Sequence, residues 1–179
     1  MLYRMRQGVY SPLYKLVEDY LTGKKDLIGI EIGSYQGESA EILLSSGAFK
    51  KLSCIDPWIM DYDPSDTTGD EGIFLAEAAF DKRFQDNPVV TKLKMMSSEA
   101  VDLFEDNSID FIYIDGNHQY AFVKQDLENF VPKIKVGGII AGHDYGGPTT
   151  PGVTKAIEEF FGGKPEKVYL DFSWACIKK

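Results

Sequence analysis

The sequence has little cysteine, little histidine, a deficit of positive charge and no long apolar run. Cys54 and Cys176 are its only thiols among 179 residues. Two are too few for a disulfide framework, and neither belongs to a Cys-x-x-Cys pair. Both lie in apolar runs, where buried thiols are expected. Nineteen basic against 28 acidic side chains give a net charge of −9. That balance excludes the broad positive surface required by duplex nucleic acid, and it disfavours an anionic membrane surface equally. No stretch approaches the roughly 18 consecutive apolar residues of a membrane-spanning helix. Met1 to Gln7 carries Arg4 and Arg6 with no apolar stretch behind them, so no secretory leader is expected and a cytoplasmic location is the default. Repeats, low-complexity tracts and Pro/Ser-rich linkers are absent too. At roughly 150 residues per domain, one domain with its own core is expected.

What is present is alternation. Leu13, Leu16, Val17 and Tyr20 mark one face of a helix from about Pro12 to Leu21, ended by Gly23. Leu27–Ile32 is a short apolar run of buried-strand type. A helix is expected from about Glu38 to Ser46, then a strand over Lys51–Ile55, an acidic loop from Asp56 to about Gly72, and a helix through Phe74, Leu75, Ala78, Ala79 and Phe84. Val89–Met95 reads as a third strand. Glu99–Phe104 reads as a short helix capped by Ser97 or Ser98. Ile109–Ile114 is the fourth strand. Val123, Leu127, Phe130, Val131 and Ile134 place a helical stripe over Tyr120–Ile134. Gly137 and Gly138 open a fifth strand, Ile139–Ala141, and Pro151 at a first helical position starts a helix to Phe161. The tail, Lys167–Leu170 and Phe172–Ile177, reads as two strands joined around Asp171. Strands alternating with helices predict an α/β fold, a doubly wound parallel sheet covered on both faces. Ligands of such sheets bind beyond the carboxyl ends of the strands, where strand order reverses.

The residues just after each strand therefore carry the chemistry. Glu31-Ile-Gly33-Ser34-Tyr35-Gln-Gly37-Glu-Ser39 places two glycines with three residues between them before a helix, a turn that lets a ligand approach the backbone and meet free N–H groups. The spacing is neither Gly-x-Gly-x-x-Gly nor a P-loop, which disfavours a nicotinamide-linked oxidoreductase. Asp56 stands nineteen residues beyond Gly37, the separation at which an acid meets ribose hydroxyls. It serves equally as a turn aspartate before Pro57. Trp58 either covers a nucleoside or roofs the core. Ser98 either meets a base or caps a helix. Asp115 and His118 follow the fourth strand, and His143, Asp144 and Tyr145 follow the fifth. In neighbouring strands, about 4.8 Å apart, the two aspartates converge. Like charges so close call for a cation or a shared proton, and carboxylate oxygens suit Mg²⁺. His118 is expected to be a general base titrating near neutrality. Asp61 to Glu71 holds Asp61, Asp63, Asp66, Asp70 and Glu71. Without an EF-hand glycine it is no calcium loop. It reads as a solvated loop or as a lid.

Together, Glu31-x-Gly33-x-x-x-Gly37-x-Ser39, Ile55-Asp56-Pro57-Trp58, Asp115-Gly116-Asn117-His118-x-Tyr120 and Gly137-Gly138-x-x-x-x-His143-Asp144-Tyr145 resemble class I S-adenosylmethionine-dependent methyltransferases. The branch they resemble is that of small bacterial enzymes related to macrolide-sugar O-methyltransferases. The resemblance implies a Rossmann-like sheet of seven strands with the last antiparallel, in a three-layer α/β/α sandwich. It implies a helical extension over 1–24 and a catalytic domain over 25–179. It draws the cofactor site from Glu31, Gly33, Ser34, Tyr35, Gly37, Ser39, Asp56, Trp58, Ser98 and Asp115, with the methionine moiety near Gly33 to Gly37 and the ribose at Asp56. It makes His118 and Asp115 catalytic, and Asp115 and Asp144 ligands of Mg²⁺. Tyr145 stands where plant-type metal-dependent members carry Asn, so a third ligand is not implied. The expected reaction is methylation of a sugar- or phenol-like hydroxyl on a small molecule. A binding module without turnover is the alternative from another class, and assembly as a homodimer is left open.

Overall fold

The apolar runs become strands in the computed structural model, which describes residues 12–60, 62–63 and 72–179. The strands are β1 (Leu27–Ile32), β2 (Phe49–Asp56), β3 (Val90–Lys94), β4 (Ile109–Ile114), β5 (Ile134–Gly142), β6 (Lys167–Val168) and β7 (Trp174–Ile177). The helices are α1 (Leu13–Tyr20), α2 (Glu38–Leu44), α3 (Ile73–Phe84), α4 (Ser97–Ala100), α5 (Tyr120–Phe130) and α6 (Pro151–Phe161). The sheet order is β3-β2-β1-β4-β5-β7-β6. The chain steps outward from the boundary between β1 and β4, through β2 and β3 on one side and through β5 on the other, so the crevice expected of a doubly wound sheet opens there. The first five strands are parallel, and β7 alone runs against both of its neighbours. This is the seven-stranded, Rossmann-like arrangement expected from the sequence.

Strand alternation divides the core into two layers. Leu52, Cys54, Phe111, Tyr113 and Ala141 point to the side covered by α1, α2 and α3. Ile32, Ile55, Ile112, Ile114 and Ile140 point to the side covered by α4, α5 and α6. The two cysteines lie in opposite layers, buried and unpaired. Leu13, Leu16 and Leu21 of the first helical segment are fully buried in the first layer. Tyr169 of the β6–β7 hairpin donates its hydroxyl proton to Asp19 at 3.0 Å, which ties α1 to the far margin of the sheet. Among the described residues, no helix is long and apolar enough to cross a membrane.

Two local expectations are corrected. The helix expected to run to Ile134 ends at Phe130, followed by one tighter turn, and Ile134 opens β5 opposite Ile109. Pro132 has no N–H to continue the helix. The helix expected through Phe74 to Phe84 is present as α3, with Ile73, Ala76, Phe80 and Phe84 on its buried face and Phe74 and Leu75 projecting outward. Neither serine caps α4. The N-cap is Met96 in extended conformation, and Glu99 reaches back to its N–H at 3.2 Å.

Candidate active site

The turn after β1 is held by close backbone packing. Gly33 has φ of 85°, and a Cβ there would lie 1.9 Å from the carbonyl oxygen of Asp115. Gly33 N–H donates to Ile55 O at 2.9 Å and Asp115 N–H to Ile32 O at 2.8 Å, so the ends of β1, β2 and β4 lie side by side. Gly37, at φ of 82°, opens α2 with its Cα against the ring of Phe84. Glu31 is fully buried below this turn. Its Oε1 accepts the hydroxyl proton of Ser39 at 2.6 Å. Among the described residues, Oε2 of Glu31 and Oγ of Ser34 are buried without a hydrogen-bond partner of good geometry, although the Ser34 hydroxyl lies near enough to draw the Glu31 carboxyl down somewhat. Burial pushes the Glu31 carboxyl up to about 7, against the opposing bond from Ser39. Unpartnered buried polar atoms at the mouth of a crevice fit a ligand that brings its own donors, such as an ammonium group.

Asp56 ends β2. Its Oδ2 accepts the Tyr35 N–H at 2.9 Å and its Oδ1 the Trp58 N–H at 2.7 Å. Each oxygen keeps a second lone pair for a hydroxyl donor. Burial raises this carboxyl too, and the backbone N–H groups of Tyr35, Trp58 and Ser34 oppose the shift. The Trp58 ring does not line the crevice. It is 2% exposed, its Nε1 donates to Tyr35 O at 2.9 Å, and it packs on Phe80 with ring centroids 5.1 Å apart. Lys92 Nζ lies 4.8 Å from the indole centroid. The indole is therefore a roof of the core, one of the two places the sequence leaves open for it. Ser98, expected to meet a base, is exposed on α4. Its neighbour Ser97 is buried instead and donates to Asp126 Oδ1 on α5 at 2.6 Å.

The ends of β4 and β5 are paired at Ile114 and Gly142, so the segments that follow emerge together. Oxygen or nitrogen atoms of Asp115, His118 and Asp144 all lie within 4.8 Å of one another. His118 Nε2 is 3.0 Å from Asp144 Oδ2, and His143 Nδ1 is 3.0 Å from the same oxygen. His143 Nδ1 is also 3.7 Å from Asp115 Oδ1. Trp174 Nε1 donates to His143 O at 3.2 Å and braces the β5 end from β7.

The fifth member is Asp63, which the sequence left among loop carboxylates. Its Oδ2 lies 2.7 Å from His118 Nδ1 and accepts the His118 backbone N–H at 2.8 Å. Next to it, Tyr62 O accepts from Asn117 Nδ2 at 2.6 Å. The remainder of the expected lid, residues 61 and 64–71, lies outside the described residues.

The electrostatics follow from this packing. Burial would lower both imidazoles, but hydrogen bonds to Asp144 and Asp63 and the Asp115 charge carry His118 up to about 10. The Asp115 charge and the bond to Asp144 carry His143 to about 9. Burial pushes Asp144 up as well, yet the bonds from His118 and His143 hold it far below the usual carboxylate range. Burial raises Asp115 to about 6, opposed by the His143 charge. The paired carboxylates thus favour the protonated imidazole of His118, shifting it upward from the near-neutral titration expected from the sequence. Its proton is held by carboxylates on both sides. Two carboxylates from adjacent strand ends present hard oxygen donors of the kind that hold Mg²⁺ with water completing its shell.

Residues 30–145 match the family model of a methyltransferase domain. A mimivirus protein, R132 of Acanthamoeba polyphaga mimivirus, is 28% identical over 158 residues, covering 79% of this chain and 64% of its own length. Protein y4gI of Sinorhizobium fredii is 40% identical over 52 residues, which are 29% of this chain and 6% of y4gI. The chain thus spans less than two thirds of either relative. Among solved structures, the O-methyltransferase NovP superposes with a TM-score of 0.67 at 17% identity, covering 93% of this chain and 78% of NovP. The Thermotoga maritima spermidine synthase superposes at 0.57 with 12% identity, covering 92% of this chain and 57% of that one. At such identities the superpositions establish architecture, and the family match supplies the rest. With that match spanning the glycine turn, Asp56 and the Asp115–Asp144 cluster, the chain belongs to the methyltransferase-domain family and has the fold of class I S-adenosylmethionine-dependent methyltransferases.

Proposed function

We propose that the chain transfers a methyl group from S-adenosylmethionine to a hydroxyl of a small molecule. The observation that carries this reading is the joined cluster of Asp115, His118 and Asp144, set at the ends of β4 and β5 beside the β1 glycine turn. The cofactor supplies an electrophilic methyl on a sulfonium, whose thioether departs without needing a proton. Glu31 Oε2 and Ser34 Oγ fit its methionine ammonium, with Gly33, Tyr35 and Gly37 shaping the backbone around it and Ser39 holding Glu31 in place. The free lone pairs of Asp56 fit a ribose diol. NovP, a structural neighbour, is an O-methyltransferase, which favours oxygen as the acceptor atom.

A hydroxyl acceptor must lose its proton, and an amine or thiol makes less of that demand. Asp115 and Asp144 would hold Mg²⁺, whose Lewis acidity lowers the pKa of a nearby hydroxyl. His118 is the base. With Asp144 drawn away from it, Nε2 becomes the open atom that receives the acceptor's proton, while Asp63 keeps Nδ1 occupied and fixes the ring. Much of the remaining catalysis is positioning of the two reactants.

The test is an acceptor screen by S-adenosylhomocysteine release, with Mg²⁺ and with a chelator. Release with sugar- or phenol-like hydroxyls that a chelator abolishes supports the reading. Release only with amines or thiols, unaffected by the chelator, refutes it. Cofactor binding without turnover on any acceptor supports a binding module instead.

A further inference from the structure

Three residues of the turn after β1 are left-handed: Gly33 at φ of 85°, Tyr35 at 44° and Gly37 at 82°. Glycine takes up that conformation freely. A tyrosine does so at a cost, and stays there only where its surroundings hold it. Here the surroundings form a closed clasp of three residues. Asp56 Oδ2 accepts the Tyr35 N–H at 2.9 Å and Asp56 Oδ1 accepts the Trp58 N–H at 2.7 Å. The indole Nε1–H of Trp58 returns to Tyr35 O at 2.9 Å. Both polar groups of the Tyr35 backbone are thus fixed, one by the carboxylate and the other by the indole.

The indole is itself anchored. Its ring packs on Phe80 of α3 and lies 4.8 Å from Lys92 Nζ of β3, and it is 2% exposed. Those neighbours fix where Nε1 points, so the conformation of Tyr35 is set from inside the core. Among side chains only an indole combines a large apolar ring with a lone N–H donor that has no acceptor of its own. A phenylalanine would fill much of the same space and leave Tyr35 O without its bond. Tyr35 would then lose the contact that opposes its preference for negative φ, and the turn would spend time in other shapes. A ligand that needs the left-handed turn binds more weakly in proportion to the fraction of molecules that keep it.

We infer that Trp58 is a positioning residue: its indole N–H holds Tyr35 left-handed and so keeps the Gly33–Gly37 turn in the shape that S-adenosylmethionine needs. This rests on the proposed use of that cofactor at that turn. A glycine in place of Tyr35 would reach the same φ without help, but would leave the turn free to take others. A tyrosine locked from the core gives a turn that is set before the ligand arrives, which removes an ordering cost from binding. Trp58 acts on the crevice through Tyr35 and not by touching the ligand.

Calorimetric titration of the full chain with S-adenosylhomocysteine, without any acceptor, tests the inference in a double-mutant cycle. Trp58→Phe keeps an aromatic ring against Phe80 and removes the donor. It is expected to weaken binding about 3- to 10-fold, the range for one neutral hydrogen bond. In the Tyr35→Asn background, whose side chain tolerates the left-handed region, the same change should weaken binding about twofold or less. The cavity left by the smaller ring is common to both backgrounds and cancels, so a purely structural role for Trp58 gives equal losses. Equal losses overturn the inference, as does no loss from Trp58→Phe alone. The unsubstituted protein supplies a second measurement. By NMR, saturating S-adenosylhomocysteine should slow solvent exchange of the Trp58 indole N–H more than that of the Trp174 indole N–H, which donates to His143 O. Equal slowing overturns the inference even if Trp58→Phe is unstable. In all of these cases the cofactor reading stands, whereas failure of S-adenosylhomocysteine to bind the wild type at millimolar concentration removes both.

Discussion

Replacing Glu31 by Gln should make the protein more stable in mild alkali, although a hydrogen-bonded buried acid is being removed. The folded carboxyl has a pKa of about 7 against an ordinary value of 4.5. A carboxyl raised on folding keeps its proton in the native chain while the unfolded chain releases it. Native protein therefore binds more protons between those two values, and stability falls as pH rises from 4.5 through 7. At about 1.36 kcal/mol per pH unit, the loss reaches about 3 kcal/mol above pH 7. Gln carries no charge, so Glu31→Gln escapes it. Its amide oxygen can still accept from Ser39, and its amide nitrogen can donate to the nearby Ser34 hydroxyl. Urea unfolding of both proteins should show no difference at pH 4 and an advantage to Glu31→Gln of about 3 kcal/mol at pH 8. Binding of S-adenosylhomocysteine at pH 8, where Glu31 is ionised, should weaken by about 10-fold or more in the same variant, because a charged acceptor is lost. A stability difference that is flat from pH 4 to pH 8 would refute the claim that Glu31 is held protonated by burial.

Other perturbations probe separate parts of the molecule. Gly33→Ala forces a Cβ into the Asp115 carbonyl at a left-handed φ. It should cost about 2–5 kcal/mol, summing backbone strain and overpacking, and an unchanged urea midpoint would contradict the packing of β1 on β4. Leu16→Ala empties a fully buried position on α1. A cost of about 2–5 kcal/mol is expected, whereas a change under about 0.5 kcal/mol would mean that α1 is a detachable appendage. His118→Ala should lower methyl transfer by about 10²- to 10⁴-fold while calorimetry shows cofactor affinity intact. Full activity in that variant would move the base elsewhere.

Strands bounded by clear breakers were legible from the sequence. Leu27–Ile32 and Ile109–Ile114 coincide residue for residue with β1 and β4, because each is a short apolar run with turn residues on both sides. Ile134 misled because it continues the spacing of Val123, Leu127 and Phe130 by coincidence, and Pro132 outweighs that spacing. The convergence of Asp115, His118 and Asp144 was readable because adjacent parallel strands bring their ends together. What local patterns could not supply were contacts between distant segments. Ser97 looks like a helix cap until Asp126, 29 residues on, takes its hydroxyl. Asp63 is one of several similar acids until the fold brings His118, 55 residues away, onto it. Trp58 was ambiguous because a large aromatic after a strand can face either way. Its Nε1 bond to Tyr35 O decides the matter.

The two margins of the sheet have a consequence for how the protein behaves when crowded. An unpaired outer strand is a template on which other chains can add, and long flat ones seed aggregates. β3, at one margin, carries Lys92 and Lys94, clamped by Glu77 and Asp81 of α3. β6, at the other, is two residues long. Neither margin offers a foreign strand an uncharged run to zip against, so concentrated solutions should resist fibril growth by strand addition. High salt, by screening the charges of Lys92 and Lys94, should weaken that protection first at β3.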